Sequence, residues 1–327
     1  MLLSSVAERV YWFARYVERV ENTARLILVN NHLLLDMPRA SALGWEPIVS
    51  ITGIAEKFYQ YHKQASERNV MRFLVMDANN EGCMLQSLAG ARENLRTSRA
   101  IFPRAVWETL NDLNSFAIEN KAKVLTRRER YQFMQHVIDS CHLISGKLSA
   151  SMSHDQIYEF VRMGRNIERA DMTSRVIDVR AENLLPKHAE EMKPFSDIQW
   201  KSVLDSLAGY QMYRRYVHVR VRGDEVLRYL LQDAYFPRAI NHCLDQLEQC
   251  LRNLPRNEAP QYALVRAQRL VRNAKVEKLV HGPLHDFIND VQLVLIDINS
   301  ELTATYFEGK EISPAVYFNM PHQLASA

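Results

Sequence analysis

Glycine and proline are both scarce, at 10 and 11 of 327 residues. Few segments alternate with period two, and no Asn-Gly or Asp-Gly pair occurs to close a hairpin. A sheet-rich fold is therefore excluded. The four cysteines, Cys83, Cys141, Cys243 and Cys250, contain no C-x-x-C pair. This excludes a disulfide framework or zinc ribbon and fits reduced thiols in a cytoplasmic setting. No run of about 18 apolar residues exists, so no membrane span is expected. Met1 to Val10 lacks a basic n-region and reaches Glu8 and Arg9 before an apolar stretch forms, which predicts no secretory leader. Neither charge sign dominates: 41 basic residues stand against 38 acidic ones. A nucleic-acid binder more often shows a clustered basic face, and none is expected here. There is no Gly-rich phosphate loop, no G-x-S-x-G and no Cys/His pairing with triad logic. The histidines, including His136, His142, His154, His242 and His285, form no metal-binding spacing and are read as surface or packed residues.

What is present is helix. The chain is 47% hydrophobic, enough for a large core. Pro38, Gly44, Pro47, Pro103, Pro186, Pro194, Pro255, Pro260, Pro283 and Pro314 punctuate long segments of helical periodicity. Ser5-x-x-Glu8, Thr126-x-x-Glu129, Ser153-x-x-Gln156 and Ser196-x-x-Gln199 read as capping boxes at helix starts.

The first helix carries an apolar stripe at three- and four-residue steps: Val6, Val10, Phe13, Val17, Val20, Ala24 and Ile27. Ile157, Val161, Gly164, Ile167, Ala170, Ser174 and Ile177 follow the same rhythm. The two segments match at an offset of 150. Arg15 pairs with Arg165, Glu18 with Glu168, Arg19 with Arg169, Thr23 with Thr173 and Arg25 with Arg175; Glu21 is matched by Asp171. Downstream, the segment from Val70 to Ala78 matches that from Val226 to Ala234. Phe133, Val137 and Leu148 match Phe287, Val291 and Leu302. These correspondences predict an all-α helical bundle formed by a tandem duplication with pseudo-two-fold symmetry. It is read as a single domain over 1–327 with repeats of about 1–150 and 151–327.

On a helix, Glu18 and Glu21 fall on one flank with Arg25 between them in angle, at the edge of the apolar stripe. Glu168, Asp171 and Arg175 repeat the pattern. Arg19 and Arg169 are predicted to point elsewhere, nearly opposite the stripe. Two readings stand side by side. In one, Glu–Arg pairs support the helices and fix the register of the bundle. In the other, two related helices bring four carboxylates and several arginines to a shared site. Oxygen-only ligands would favour Mg²⁺ or Mn²⁺, although the Glu-x-x-His of a di-iron bundle is absent. The neighbouring arginines suit a phosphate or carboxylate ligand instead. Arg92-Glu93-Asn94 lies on a further predicted helix, as a solvated face or a site element. Phe236-Pro237-Arg238 is expected to start a helix, with Pro237 in its first turn and Arg238 a ligand group or a surface charge.

Tyr11-Trp12-x-x-Arg15-Tyr16-x-Glu18-Arg19-x-Glu21-x-Thr23-Ala24-Arg25 resembles the signature of the bacterial alpha-E family. Gly164-Arg165-x-x-Glu168-Arg169-Ala170-Asp171-Met172-Thr173-x-Arg175 is similar to that family's second signature. Ala91-Arg92-Glu93-Asn94 and Tyr235-Phe236-Pro237-Arg238 resemble further blocks, and the likeness runs from about Leu3 to Pro314. Two departures stand out. The family has an Asn-Pro-x-Ser-like helix start after the position of Asp77, where this chain reads Asn79-Asn80-Glu81-Gly82-Cys83. It also favours glycine at the position of Ala14.

The resemblance implies a setting beside circularly permuted ATP-grasp amide ligases and transglutaminase-like peptidases. The chain would be a component of peptide or amide synthesis or modification, with a peptide or amino-acid-like ligand. As an enzyme component, Glu18, Glu21, Glu168 and Asp171 would act as acid–base groups or cation ligands. Arg15, Arg25, Arg165, Arg175, Arg92, Asn94 and Arg238 would then hold the substrate. As a scaffold, the same motifs would be internal salt-bridge clamps. A Mg²⁺-dependent nucleotide hydrolase is a third reading.

Overall fold

The computed structural model describes residues 4–36, 44–182, 196–217, 221–279 and 283–308. Every regular element among them is helical. In chain order these are α1 (Ser4–Asp36), α2 (Glu46–Ile51), α3 (Ala55–Tyr61), α4 (Glu67–Val75), α5 (Met84–Thr97), α6 (Arg104–Asn120) and α7 (Arg127–Ser151). There follow α8 (Gln156–Glu182), α9 (Ser196–Ser206), α10 (Tyr210–Val217), α11 (Gly223–Gln232), α12 (Ile240–Arg252), α13 (Glu258–Arg272), α14 (Val276–Leu279) and α15 (Leu284–Leu302). None of them is long and apolar enough to cross a membrane.

The prolines lie where a missing N–H costs little. Pro47 and Pro260 sit in the first turns of α2 and α13, and Pro103 and Pro283 precede α6 and α15. Pro38, Pro186, Pro194, Pro314, Leu3 and the Ser196 side chain lie outside the described residues. Thr126 does precede α7, but its hydroxyl bonds the Glu129 carboxylate (2.5 Å) and caps no backbone N–H. Ser5 lies inside α1. Ser153 is not the cap of α8: the Asp155 carboxylate accepts from the Ile157 and Tyr158 N–H groups (2.9 and 3.3 Å). Aspartate and serine cap about equally well, and Asp155 stands next to the first turn, so it wins.

Helices α1 and α8 form the centre. No residue from Ser4 to Asn31, or from Ile157 to Val179, is exposed. The stripe of α1 is buried from Val10 to Ile27, with Val6 half-buried, yet Tyr11, Arg15, Glu18, Asn22 and Leu26 on other faces are buried too. Helices buried all round are core elements, not amphipathic surface ones. They touch closely at Ala14 and Gly164. A Cβ on Gly164 would stand 2.3 Å from the Tyr11 carbonyl oxygen. Glycine at that crossing, which elsewhere in a helix costs about 1 kcal/mol, lets the backbones meet.

The remaining helices surround this pair in matching order. α5 and α7 flank α1, and α12 and α15 flank α8. α6 lies across α5 and α7 as α13 lies across α12 and α15. α2 reaches over to α8, and α9 to α1. One apolar cluster runs through both halves, from Ala7 to Phe307. At its end the Phe307 ring packs on Tyr11 of α1 and Phe160 of α8 (centroids 5.3 and 6.0 Å).

Candidate functional site

Just beyond the Ala14–Gly164 crossing, each central helix sends an arginine to the other's glutamate. Arg19 of α1 donates through Nε to Glu168 Oε1 (2.6 Å) and through Nη2 to Oε2 (3.0 Å). Arg169 of α8 donates through Nε to Glu18 Oε1 (3.0 Å). A second guanidinium reaches each carboxylate from the side. Arg15 Nε stands 2.8 Å from Glu168 Oε2, and Arg238 Nη1 stands 2.8 Å from Glu18 Oε1. Both carboxylates are buried, at 3% and 2% exposed for Glu18 and Glu168. Burial alone would raise the Glu168 carboxyl, but Arg19 and Arg15 outweigh it and hold it at about 2.

The expectation that Arg19 and Arg169 point away is wrong. A helical wheel assumes solvent opposite the apolar stripe, but from Ser4 to Asn31 and from Ile157 to Val179 no residue is exposed. Those charges turn into the seam, each against a carboxylate of the other helix.

Further from the seam the two halves differ. Glu21 Oε1 accepts from Arg25 Nη2 (2.6 Å) and Arg238 Nη2 (2.7 Å), and His142 Nε2 lies 3.1 Å away. Burial would raise the Glu21 carboxyl, but Arg238, His142 and Arg25 hold it well below the usual carboxylate range. Asp171 is 23% exposed and takes only Arg175 Nε, at 3.0 Å from each oxygen. The Arg175 guanidinium lies against Gly53, in the turn after α2. Gly53 has φ +73°, and a Cβ there would stand 2.1 Å from Arg175 Nη1.

Arg238 is neither a surface charge nor part of a helix's first turn. α12 starts at Ile240, and Pro237 and Arg238 form the turn before it. Arg238 is 5% exposed and also donates to Asn22 Oδ1 (2.6 Å). Arg92 lies elsewhere: its Nε donates to Asn111 Oδ1 (2.7 Å) and its guanidinium lies over Trp107. Asn94, two residues on, is not bonded to the network. Arg165 lies close by, but its buried Nε has no hydrogen-bond partner; burial and the charge of Arg169 push its pKa down. Its counterpart Arg15 is fully engaged, with Glu168, with Asn299 (3.0 Å) and over the Trp12 ring (4.7 Å).

Among the described residues, two clefts border the network. The larger, about 670 Å³, lies between α1, α7 and α9. Arg25 and His142 are on its wall with Glu21 behind them, and the His142 side chain is 55% exposed. A buried carboxylate behind an exposed imidazole orients that ring toward the cleft, an arrangement suited to proton transfer. The histidine was not recognisable from spacing, because it lies 121 residues from Glu21. The smaller cleft opens beside Asp171, Thr23 and Gly82. Among the described residues no cluster of three or more His, Cys, Asp or Glu side chains has metal-binding geometry. A cation held by Glu18 and Glu168 would have to displace arginines from both. All four cysteines are free and buried.

A family model named Alpha-E, described as a predicted alpha-helical domain with a conserved ER motif, matches residues 2–307. An uncharacterized protein of Mycobacterium bovis and two of Mycobacterium tuberculosis are each 21% identical over 329 residues, which cover 92% of this chain. The match takes in 36% of each relative, so the chain spans about a third of their length. No solved structure matches it significantly.

Proposed function

The chain belongs to the Alpha-E family, and from that premise we propose that it is a helical module of a bacterial peptide or amide synthesis or modification system. It works beside an ATP-grasp-type amide ligase, with its two Glu-Arg motifs as an internal clamp. The observation that carries the clamp is the crossed pairing: Arg19 on Glu168, Arg169 on Glu18, with a second arginine on each. A catalytic pair would need accessible oxygens. These carboxylates are buried, and their partners are guanidinium groups already in place. The crossed pairs and the matched helix contacts support two repeats of one unit about a pseudo-two-fold axis. That the relatives are nearly three times as long supports a module that operates with other domains. The four unpaired thiols fit a cytoplasmic, reducing compartment.

A second reading rests on the larger cleft. There Glu21, Arg25 and His142 handle the ligand, a peptide or amino-acid-like molecule, at the motif's edge. The test is to mix the purified chain with the ATP-grasp ligase of the same genome. Complex formation is followed by size-exclusion chromatography and ATP-dependent amide formation by mass spectrometry. The clamp-and-module reading predicts a complex, altered amide yield, and no turnover by the chain alone. Turnover by the chain alone, lost in His142→Ala, would move the function to the cleft. Neither complex nor effect would sink the module reading.

A further inference from the structure

The loop before α5 and the loop before α12 are the same turn, 156 residues apart. The Asp77 carboxylate accepts from the N–H two residues on (2.9 Å), and so does that of Asp233 (2.8 Å). Cys83 N–H bonds the Asn80 carbonyl (3.0 Å) as Ala239 N–H bonds that of Phe236 (2.9 Å). Ser87 N–H bonds the Cys83 carbonyl as Cys243 N–H bonds that of Ala239 (2.9 and 3.0 Å). Gly82 therefore stands where the second loop carries Arg238.

In the second half that position is full. The Arg238 guanidinium bridges Glu18 and Glu21, and its carbonyl accepts from the Thr173 hydroxyl (2.8 Å). In the first half the counterparts are Glu168, Asp171 and Thr23, and Gly82 sends no side chain toward them. What lies there is the smaller cleft, narrow at about 30 Å³ against the 670 Å³ of the larger, and lined by these same residues. Thr23 is 4% exposed, yet among the described residues nothing hydrogen-bonds its hydroxyl. Asp171 is open to the cleft where Glu21 is closed off.

We infer that this cleft is a seat for a guanidinium group, supplied either by an arginine side chain of another chain or by a free guanidinium compound. Arg15 already takes the second place on Glu168, so the seat's acceptors are the Asp171 carboxylate, which bonds only Arg175 among the described residues, and the Thr23 hydroxyl on the cleft wall; both can accept from a planar donor. Neighbouring arginines do not bar a further cation. Arg238 itself sits beside Arg25 and Arg169, with Arg165 close by, and is held by two carboxylates. Arg19 and Arg175 occupy the same relation to the empty seat. The inference rests on the correspondence of the two halves, and not on the clamp or on any ligase.

The test is calorimetric titration of the full chain with agmatine, with N-acetyl-arginine methylamide and with cadaverine. Wild type should bind one equivalent of either guanidinium compound and bind cadaverine at least tenfold more weakly. Gly82→Arg, which fills the seat from within, should weaken guanidinium binding at least tenfold. Asp171→Asn should do the same and stands in should Gly82→Arg fail to fold. Tighter binding of the blocked arginine assigns the seat to another chain's side chain, and tighter binding of agmatine to a free cation. Arg238→Gly should open a second seat of the same class, so that agmatine raises its melting temperature more than that of wild type. No binding to wild type, equal binding of cadaverine, or binding indifferent to both cleft variants would overturn the inference.

Discussion

The two halves agree at the seam and diverge one turn away from it. Glu18 meets Arg169 and Glu168 meets Arg19, the same contact made twice. Beyond that, Glu168 recruits Arg15 from α1, whereas Glu18 recruits Arg238 from a loop. Arg165, which corresponds to Arg15, makes no such bond. Glu21 is sealed by two arginines and a histidine, while the shorter Asp171 holds one arginine and stays open. The difference separates two kinds of charge. Those that cross between α1 and α8 are buried, and changing one would strand its partner on the other helix. Those at the periphery are where the halves differ: Arg238 reaches across to Glu21, whereas among the described residues Asp171 keeps only Arg175 of its own helix.

This comparison can be broken most sharply at the seam. Glu168→Gln keeps the shape but strands Arg15 and Arg19 inside the protein. It should cost about 3–5 kcal/mol by chemical denaturation; a cost below about 1 kcal/mol would contradict a clamp. The acid limb sharpens the same point. The folded-state pKa of Glu168 is depressed from the ordinary 4.5 to about 2. Its contribution is therefore complete above pH 4.5 and is lost as pH falls toward 2, about 3 kcal/mol in all. Stability measured against pH should fall across that window in wild type and fall less in Glu168→Gln. At the periphery, Arg238→Met leaves Glu18 with Arg169, and Glu21 with Arg25. About 2–3 kcal/mol is expected, less than at the seam because each carboxylate keeps one cation. His142→Ala removes an exposed partner from a carboxylate that retains two arginines. It should change stability by less than about 1 kcal/mol in the same denaturation measurement.

Much of this architecture is legible in the sequence for a simple reason. Helical periodicity and scarce glycine and proline are local signals, and the stripe from Val10 to Ile27 is buried as the spacing predicts. The 150-residue correspondence names both motif helices in advance. What stays hidden is tertiary. No wheel shows that α1 lacks a solvent face, so Arg19 and Arg169 are misplaced by any argument that assumes one. Arg238 and His142 lie 217 and 121 residues from Glu21, and only the packing of α7 and the α11–α12 loop on α1 brings them there. Asp155 shows the same limit at short range: Ser153 and Asp155, two residues apart, can both cap a helix on paper, and geometry selects one.

The account stands or falls on the crossed pairs, and a double-mutant cycle between Arg19 and Glu168 reads them directly. Arg19→Met, Glu168→Gln and the double variant are compared with wild type by urea denaturation. Coupling of at least about 2 kcal/mol, with the double variant more stable than Glu168→Gln alone, is the result predicted for a buried clamp. Additive losses within about 0.5 kcal/mol would mean that the two side chains do not hold each other, and the motif would then need a different purpose.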